Sequence, residues 1–196
     1  GFRPYVLRKA TASGIKGHVY NSKDGVHIEF NAGEMDARTF YNHVIQSPPS
    51  NAIITAHSIR ESPLAAFNGF TITTGEVNTK PDLLIPPDYA LCNDCRNEIT
   101  DKKNSRHSYP FTTCLHCGPR YSIIRELPYE RINTTMNSLP MCHDCKTEYE
   151  DILDRRHFSQ TNSCKNCAIQ MHLYDKTRNE LGKEPAEIFN LLHTAL

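Results

Sequence analysis

In the first 75 residues, segments with the apolar spacing of a helix alternate with segments that have the apolar spacing of a strand. Residues 3–11 have the helical spacing and predict a short helix. Residues 17–21 and 26–30 are short alternating runs, and the Asp24-Gly25 dipeptide between them is a strong hairpin signal. The chain therefore predicts a helix followed by a β-hairpin.

A second helix and two further strands are predicted before residue 75. Residues 34–45 show helical spacing, and Pro48 and Pro49 end that helix because proline cannot continue it. Residues 52–59 and 70–74 have the composition of strands. The order is α-β-β-α-β-β, which is a ferredoxin-like βαββαβ fold with its first strand missing and an extra strand at its end. The predicted fold class of this part is α+β.

All eight cysteines lie between Cys92 and Cys167 and form four pairs of the type CxxC. Eighteen residues separate the first pair from the second, and eighteen separate the third from the fourth. The pairs are Cys92 and Cys95, Cys114 and Cys117, Cys142 and Cys145, and Cys164 and Cys167. The pattern recurs after 50 residues, and the same shift carries Glu98 to Glu148 and Arg106 to Arg156. The segment is therefore a duplicated module.

Two CxxC turns can supply the four sulfur ligands of a tetrahedral zinc site, and the 18-residue insert has the spacing of a zinc ribbon. We therefore predict a zinc-ribbon-like domain with two zinc ions, each bound by four cysteines. Such sites have no open coordination position, so both ions should be structural. Disulfides would not require this regularity, and iron–sulfur clusters usually show uneven runs of cysteines.

The CxxC pairs can share the two metal ions in two ways. In sequential pairing the first two pairs bind one ion and the last two pairs bind the other. In crossed pairing the outer pairs share one ion and the inner pairs share the other. We favour sequential pairing because each repeat then closes its own site, and crossed pairing stays open as the alternative.

Polar residues near the cysteines are predicted to have no part in metal binding. His116 and His143 lie inside CxxC turns and are expected to be exposed, because each site already has four thiolates. Glu98 and Glu148 follow their CxxC pairs at equal spacing. We expect them to be carboxylates in the first turn of a helix, where the helix dipole favours negative charge.

Composition restricts the classes of protein further. Hydrophobic residues make up 38% of 196 residues, which favours two small domains, one of them held together by metal, over a single large core. Lys plus Arg and Asp plus Glu are both 22, a balance that argues against a nucleic-acid-binding protein. No apolar run approaches the roughly 18 residues that span a membrane. The first residue is Gly1 and not Met, so we expect the true N-terminus to be absent.

The hairpin region carries a resemblance to a known family. The strings are Gly1-Phe2-Arg3-Pro4, then Gly17-His18-Val19-Tyr20-Asn21, then Asp24-Gly25-Val26, and together they resemble the acylphosphatase signature. In that family a glycine-rich loop ending in Gly-Phe-Arg holds the phosphoryl group, and an Asn of the next strand orients the attacking water. The resemblance implies that Arg3 is the phosphate clamp and Asn21 the water-positioning residue.

The acylphosphatase signature followed by the cysteine repeat resembles the HypF carbamoyltransferases of nickel–iron hydrogenase maturation, over roughly residues 1–175. The strings that carry this resemblance are Tyr109-Pro110-Phe111, Cys114-Leu115-His116-Cys117-Gly118-Pro119-Arg120, Leu127-Pro128-Tyr129-Glu130-Arg131, Thr134-Thr135-Met136 and Asp154-Arg155-Arg156. The resemblance implies an acylphosphatase-like domain over 1–76, a linker over 77–90, a tandem four-cysteine domain over 91–175, and a lead-in over 176–196 to a missing YrdC-like domain. A helix is expected over 187–196.

The resemblance also implies a reaction sequence. Carbamoyl phosphate is hydrolysed at the acylphosphatase site, and the carbamate is adenylated with ATP in the missing downstream domain. The carbamoyl group then passes to the C-terminal cysteine of a HypE-type partner in the cytoplasm, on the way to a cyanide ligand of hydrogenase. No membrane or nucleic acid is implied. Because the first strand and most of the phosphate loop are missing, we expect this chain alone to be inactive.

Two other readings of the sequence stay open. In the first, the chain is a non-catalytic zinc-binding interaction module, and Arg3 and Asn21 are an ordinary surface residue and turn former. In the second, the zinc ribbons bind nucleic acid through local basic pairs such as Arg155-Arg156, but the neutral overall charge speaks against it. Hydrolysis of a small acyl phosphate separates the enzyme from both alternatives.

Overall fold

The computed structural model describes residues 1–75, 85–167 and 169–195, which form two compact units. The first unit comprises Gly1–Pro86 together with Ile124–Thr134, and the second comprises Pro87–Ile123 together with Thr135–Leu196. Residues 77–84 of the predicted linker lie outside the described residues. A stretch of chain between the two cysteine repeats thus belongs to the first unit.

The first unit begins with helix α1, which spans Phe2–Ala12 and confirms the predicted helix. Its buried residues include Val6, Leu7 and Ala10, which share one face of the helix. Arg3 is buried as well, and its position one turn before Val6 and Leu7 puts it on that same face. An arginine in such a position needs a partner, because burial of an unpaired charge is costly.

Strands β1 (Lys16–Asn21) and β2 (Val26–Asn31) form the predicted antiparallel hairpin. The amide of Ser22 donates to the carbonyl of Gly25 at 2.8 Å and closes the turn. Gly25 has a φ of +144°, a backbone conformation that residues with a Cβ rarely adopt. The turn leaves Asn21 as the last residue of β1.

Strand β3 (Phe70–Ile72) runs parallel to β1 and completes a three-stranded sheet of order β2-β1-β3. Helix α2 (Glu34–Gln46) follows the hairpin and ends before the two prolines, as predicted. Helices α1 and α2 pack on the sheet. The buried residues of this core are Val6, Ala10, Ile15, Val19, Phe40 and Val44. The predicted α+β fold class is confirmed for this unit.

The strand predicted over residues 52–59 is wrong, because the structure has no regular secondary structure there. Ile53 and Ile59 are 78% and 45% exposed, so this run does not bury its apolar side chains. A strand is held by backbone hydrogen bonds to a neighbour, and none of the strands in the described residues pairs with this segment. The strand predicted over 70–74 is present but shorter.

The second unit repeats one helix after 50 residues. Helix α3 spans Asn93–Thr100 and helix α4 spans His143–Glu150, each beginning directly after the first cysteine of its repeat. In the sequence between them, the second unit has two short 3₁₀ turns, at Tyr121–Ile123 and Thr135–Ser138, and a third at Arg131–Asn133 belongs to the first unit. Each four-cysteine unit is therefore built from a helix N-terminus and a tight turn.

The last part of the chain adds a small hairpin and a helix. Strands β4 (Leu173–Tyr174) and β5 (Glu180–Gly182) pair antiparallel. Helix α5 spans Pro185–Ala195, in the region where a helix was expected, and Leu196 lies outside the described residues. Among the residues the structure covers, no helix is both long and apolar enough to cross a membrane.

Candidate metal centres and phosphate site

Each repeat brings its four cysteine sulfurs together into one cluster. The clusters consist of Cys92, Cys95, Cys114 and Cys117, and of Cys142, Cys145, Cys164 and Cys167. Within each cluster the sulfur atoms lie within 4.8 Å of one another. This is the sequential grouping, so the structure does not adopt the crossed one.

The distances between sulfurs match a tetrahedral metal site. Three sulfur pairs in the first cluster are separated by 3.7, 3.8 and 3.6 Å, and the equivalent pairs in the second by 3.6, 3.9 and 3.6 Å. Sulfurs that are ~2.3 Å from one zinc ion in a tetrahedron are ~3.8 Å apart. A disulfide joins its sulfurs at ~2.05 Å, so the clusters are not disulfides. The two four-cysteine sites fit zinc.

Backbone groups hold each cluster in the same way. Cys92 and Cys142 are the N-cap residues of α3 and α4, where the partial positive charge of the helix end favours a thiolate. The backbone amide of His116 donates to Sγ of Cys114 at 3.3 Å. Fifty residues later, the amide of Asn166 donates to Sγ of Cys164 at 3.4 Å. Both ends of each site therefore present positive charge to sulfur.

The four cysteine sulfurs of a cluster lie so close together that their ionised form requires a nearby cation. Contacts with the sulfurs of Cys114 and Cys95 lower the pKa of Cys117. Contacts with Cys114 and Cys117 raise the pKa of Cys95 far above its ordinary value. Ionised sulfurs repel one another at these distances, so all four can be thiolates only beside a positive ion. A divalent zinc ion would supply that charge.

The first cluster also has an arginine beside it. Nη2 of Arg155 donates to Sγ of Cys95 at 2.6 Å, and the guanidinium also pairs with Asp94 at 3.1 Å. Burial alone would lower the pKa of Arg155, but the charges of Cys114 and Cys95 raise it above its ordinary value. The 50-residue shift places Ser105 at the equivalent position of the first repeat, and serine carries no charge.

Of the two predictions for polar residues near the cysteines, one is confirmed and one is wrong. His116 and His143 are exposed, as predicted. Glu98 and Glu148 are not first-turn carboxylates, because each lies in the second half of its eight-residue helix. Their side chains form ion pairs with buried arginines instead. A charge-assisted hydrogen bond to arginine is stronger than an interaction with the helix dipole, so the arginines account for the positions of the two glutamates.

The two repeats are joined by an exchange of arginines. Arg106 belongs to the first repeat, is 3% exposed, and donates to both carboxylate oxygens of Glu148 at 2.7 and 2.5 Å. It also donates to Oδ1 of Asn162 at 3.1 Å and lies 3.8 Å from Sγ of Cys145. A cation from one repeat therefore lies against the metal cluster of the other.

Arg156 makes the reciprocal contacts from the second repeat. It is 3% exposed and donates to both carboxylate oxygens of Glu98, one of them at 3.2 Å. Its Nε donates to the carbonyl of Thr113 at 3.0 Å. The 50-residue shift had already related these arginines and glutamates in the sequence. Spacing alone does not say which repeat supplies the partner, so the exchange was missed.

Arg3, the predicted phosphate clamp, is 5% exposed and paired with Glu130. Its Nη1 donates to Oε1 of Glu130, and its Nη2 donates to Oε2 at 3.1 Å. The bond is bidentate, which is the geometry in which a guanidinium recognises carboxylate and phosphate groups. In this structure the clamp holds an anion of the chain itself.

Asn21, the predicted water-positioning residue, meets Arg3 at one backbone atom. Nδ2 of Asn21 donates to the carbonyl oxygen of Tyr129 at 3.1 Å, and Nη2 of Arg3 donates to the same oxygen at 3.4 Å. The fold therefore brings the two side chains together, although one lies in the first turn of α1 and the other ends β1. Tyr129 and Glu130 are the partners of the two predicted site residues, and sequence reasoning missed both contacts.

The segment Ile124–Thr134, called the 124–134 loop below, carries both of these residues. Its two ends pair through an isolated β-bridge. The amide of Asn133 donates to the carbonyl of Glu130 at 2.9 Å, and its side chain donates to the carbonyl of Pro128 at 2.8 Å. The loop is therefore closed on itself and holds residues 128–130 from two sides.

Comparison with known protein families divides the chain as its structure does. The acylphosphatase family matches residues 1–72, and the HypF finger family matches residues 91–124 and 141–174. The fold and the sites thus define a class of protein in which an acylphosphatase-like domain is joined to a duplicated four-cysteine zinc finger.

Individual relatives support the same division. Carbamoyltransferase HypF of Synechocystis sp. is 37% identical over 136 residues, which are 69% of this chain and 18% of that protein. The acylphosphatase of Thermotoga maritima is 38% identical over 73 residues, which are 37% of this chain and 80% of that protein. The chain belongs to the HypF family, and it spans about a fifth of the length of the curated HypF relatives that it matches.

Solved structures agree over most of the chain. Full-length HypF in its phosphate- and nucleotide-bound form matches 99% of this chain and 25% of its own length, with 34% identity and a TM-score of 0.87. HypF of T. kodakarensis matches 93% of this chain and 23% of its own length, with 37% identity and a TM-score of 0.79. The fold of both units is therefore shared with experimentally determined HypF structures.

Proposed function

We propose that this chain is the acyl-phosphate-hydrolysing and zinc-finger part of a carbamoyltransferase, and that its substrate is carbamoyl phosphate. The observation that carries the proposal is the convergence of Arg3 and Asn21 on the carbonyl oxygen of Tyr129. These are the two residues that the acylphosphatase resemblance assigns to the reaction. The names of the HypF relatives support carbamoyl transfer as the activity of the whole protein.

Arg3 and Asn21 have complementary tasks in the proposed reaction. The planar guanidinium of Arg3 binds phosphoryl oxygens and stabilises negative charge that develops on them. The amide of Asn21 holds a water molecule, which attacks phosphorus while the bond from phosphorus to the carbamate oxygen breaks. The products are inorganic phosphate and carbamate.

The later steps are proposed from the family. The carbamate is activated with ATP in a part of the protein outside this chain, and the carbamoyl group is transferred to a HypE-type partner for cyanide-ligand synthesis. The nucleotide-bound state named for full-length HypF supports the use of a nucleotide. The cytoplasm is the proposed location, because eight cysteines without disulfides are typical of a reducing compartment.

The two cysteine clusters are proposed to bind one zinc ion each and to be structural. Cys92, Cys95, Cys114 and Cys117 would hold one ion, and Cys142, Cys145, Cys164 and Cys167 the other. Zinc bound by four thiolates stabilises the fold and leaves no position for a substrate.

The test is hydrolysis of carbamoyl phosphate by the whole protein that contains this sequence. Arg3→Ala and Asn21→Ala should each reduce hydrolysis to background and leave the zinc content unchanged. Arg8→Ala is the matched control, because Arg8 is an exposed arginine of the same helix. Normal hydrolysis by Arg3→Ala would show that the acylphosphatase assignment is wrong.

One observation favours the second candidate, a non-catalytic zinc-binding interaction module. The bidentate bond between Arg3 and Glu130 has the form of a structural ion pair. A purely structural pair predicts that wild-type protein does not hydrolyse acyl phosphates and that Arg3→Ala lowers the melting temperature. The same set of variants therefore separates the two candidates.

A further inference from the structure

The 124–134 loop lies outside the part of the chain that matches the acylphosphatase family. That match ends at residue 72, yet the loop packs in the first unit and contacts both proposed site residues. Two consecutive loop residues make these contacts, one through its backbone and one through its side chain. One side of the proposed site in the acylphosphatase-like domain is thus formed by a loop from a distant part of the chain.

We propose that Tyr129 and Glu130 are positioning residues for acyl-phosphate hydrolysis, Glu130 orienting Arg3 and the Tyr129 carbonyl orienting Asn21. This inference rests on the proposed function. It assigns to the loop a task in the reaction that goes beyond linking the two cysteine repeats.

Glu130 restricts the rotation of a long side chain. A free arginine samples many rotamers, and ordering it on substrate binding costs conformational entropy. Both oxygens of Glu130 bind the terminal nitrogens of Arg3, and the two side chains are only 6% and 11% exposed. Nη2 of Arg3 also donates to the carbonyl of Tyr129, so the two loop residues together fix the plane of the guanidinium.

The carbonyl of Tyr129 decides which way the amide of Asn21 points. An asparagine side chain can present either its NH₂ group or its oxygen to a neighbour. A carbonyl accepts and cannot donate, so it selects the orientation in which Nδ2 of Asn21 faces Tyr129. Oδ1 of Asn21 then points away from that carbonyl, and we assign it as the acceptor of a hydrogen bond from the attacking water.

The loop has the rigidity that such a task requires. Asn133 bonds the backbone on both sides of Tyr129, at the carbonyls of Pro128 and Glu130. Thr134 is fully buried and its hydroxyl donates to the carbonyl of Arg131 at 2.8 Å. Catalytic groups have to be held within a fraction of an ångström of the productive geometry, and a closed loop can do so.

The contact between Glu130 and Arg3 could also have the opposite effect and inhibit hydrolysis. If Glu130 merely occupied the anion site of Arg3, phosphate would have to displace it, and the carboxylate would be an inhibitor. Positioning predicts that loss of the Glu130 charge lowers kcat and does not improve phosphate binding. Competition predicts tighter phosphate binding with kcat preserved or increased.

The experiment measures kcat, KM and the inhibition constant of inorganic phosphate for carbamoyl-phosphate hydrolysis by the whole protein. The main variant is Glu130→Gln, which keeps the size of the side chain and removes its charge. Glu126→Gln is the matched control, because Glu126 is an exposed glutamate of the same loop. Asn133→Ala loosens the loop without touching either Arg3 or Asn21, and Glu130→Asp restores the carboxylate.

We expect Glu130→Gln to lower kcat about tenfold or more, the effect of losing about one charge-assisted hydrogen bond in the transition state. The inhibition constant of phosphate should stay constant or rise, Asn133→Ala should lower kcat in the same direction, and Glu126→Gln should behave as wild type. Glu130→Asp should recover part of kcat, and it replaces Glu130→Gln as the deciding variant if the latter does not fold.

Two results would overturn the inference. One is tighter inhibition by phosphate in Glu130→Gln with kcat kept. The other is normal kinetics in both Glu130→Gln and Asn133→Ala while Arg3→Ala is inactive. In the second case the proposed function would survive. If wild-type protein did not hydrolyse the substrate, or if Arg3→Ala were fully active, the proposed function itself would fail.

Discussion

Glu148→Ala removes one half of the exchange between the two cysteine repeats and leaves Arg106 buried beside a metal cluster. Arg106 is 3% exposed, and Glu148 supplies both oxygens of its bidentate partner. The matched control is Glu150→Ala on the same helix. Glu150 pairs with Lys146 at 3.8 Å, and both of these side chains are about two thirds exposed.

The expected magnitudes differ widely. Removing one partner of a buried ion pair costs about 3–5 kcal/mol, and we expect the lower end because Asn162 and the carbonyl of Ser163 still accept from Arg106. The exposed pair of Glu150 contributes about 0.3–0.5 kcal/mol. For a chain of this size a loss of about 3 kcal/mol corresponds to a drop in melting temperature of roughly 6–12 °C.

The assay is thermal and urea unfolding of the zinc-loaded chain, with zinc release followed by a colorimetric chelator. Glu148→Ala should melt clearly below wild type, while Glu150→Ala should be indistinguishable from it. A double-mutant cycle with Arg106→Ala isolates the coupling between the two side chains. Equal effects of Glu148→Ala and Glu150→Ala would refute the claim that the exchange holds the repeats together.

Three further predictions concern metal and pH. Purified chain should contain two zinc ions, and its cysteines should react with thiol reagents only after a chelator is added. Arg155→Ala should speed zinc release from the first cluster and not from the second, because Arg155 contacts Cys95. Burial would raise the pKa of Glu148, but Arg106 lowers it below its ordinary value. Its stabilising effect should therefore be complete above about pH 4.3 and fall at lower pH, seen as a shrinking difference in unfolding free energy between wild type and Glu148→Gln.

Local signals in the sequence were reliable guides to the fold. The Asp24-Gly25 turn, the apolar faces of α1 and α2, and the regular CxxC spacing depend on residues that are neighbours in the chain. Each of these features has a physical cause that acts within one element or one turn. The elements they predicted are present.

Features that depend on distant partners were missed. Residues 52–59 have the composition of a strand, but strand formation requires a neighbour, and composition does not reveal whether one is present. The local sequence around Glu98 and Glu148 suggests an interaction with the helix dipole. It does not reveal their arginine partners, because the opposite repeat supplies them. The contact of Glu130 with Arg3 joins residues that are 127 positions apart, a pairing that no spacing rule predicts.

The exchange of arginines couples the order of one cysteine repeat to the order of the other. Arg106 can reach Glu148 and the cluster at Cys145 only when its own repeat is ordered, and that order depends on the metal of the first cluster. Arg156 imposes the same condition in the other direction. A plot of zinc bound against zinc added should accordingly be sigmoidal for the metal-free chain. A chain shortened to one repeat should have less than half of the unfolding free energy of the complete module.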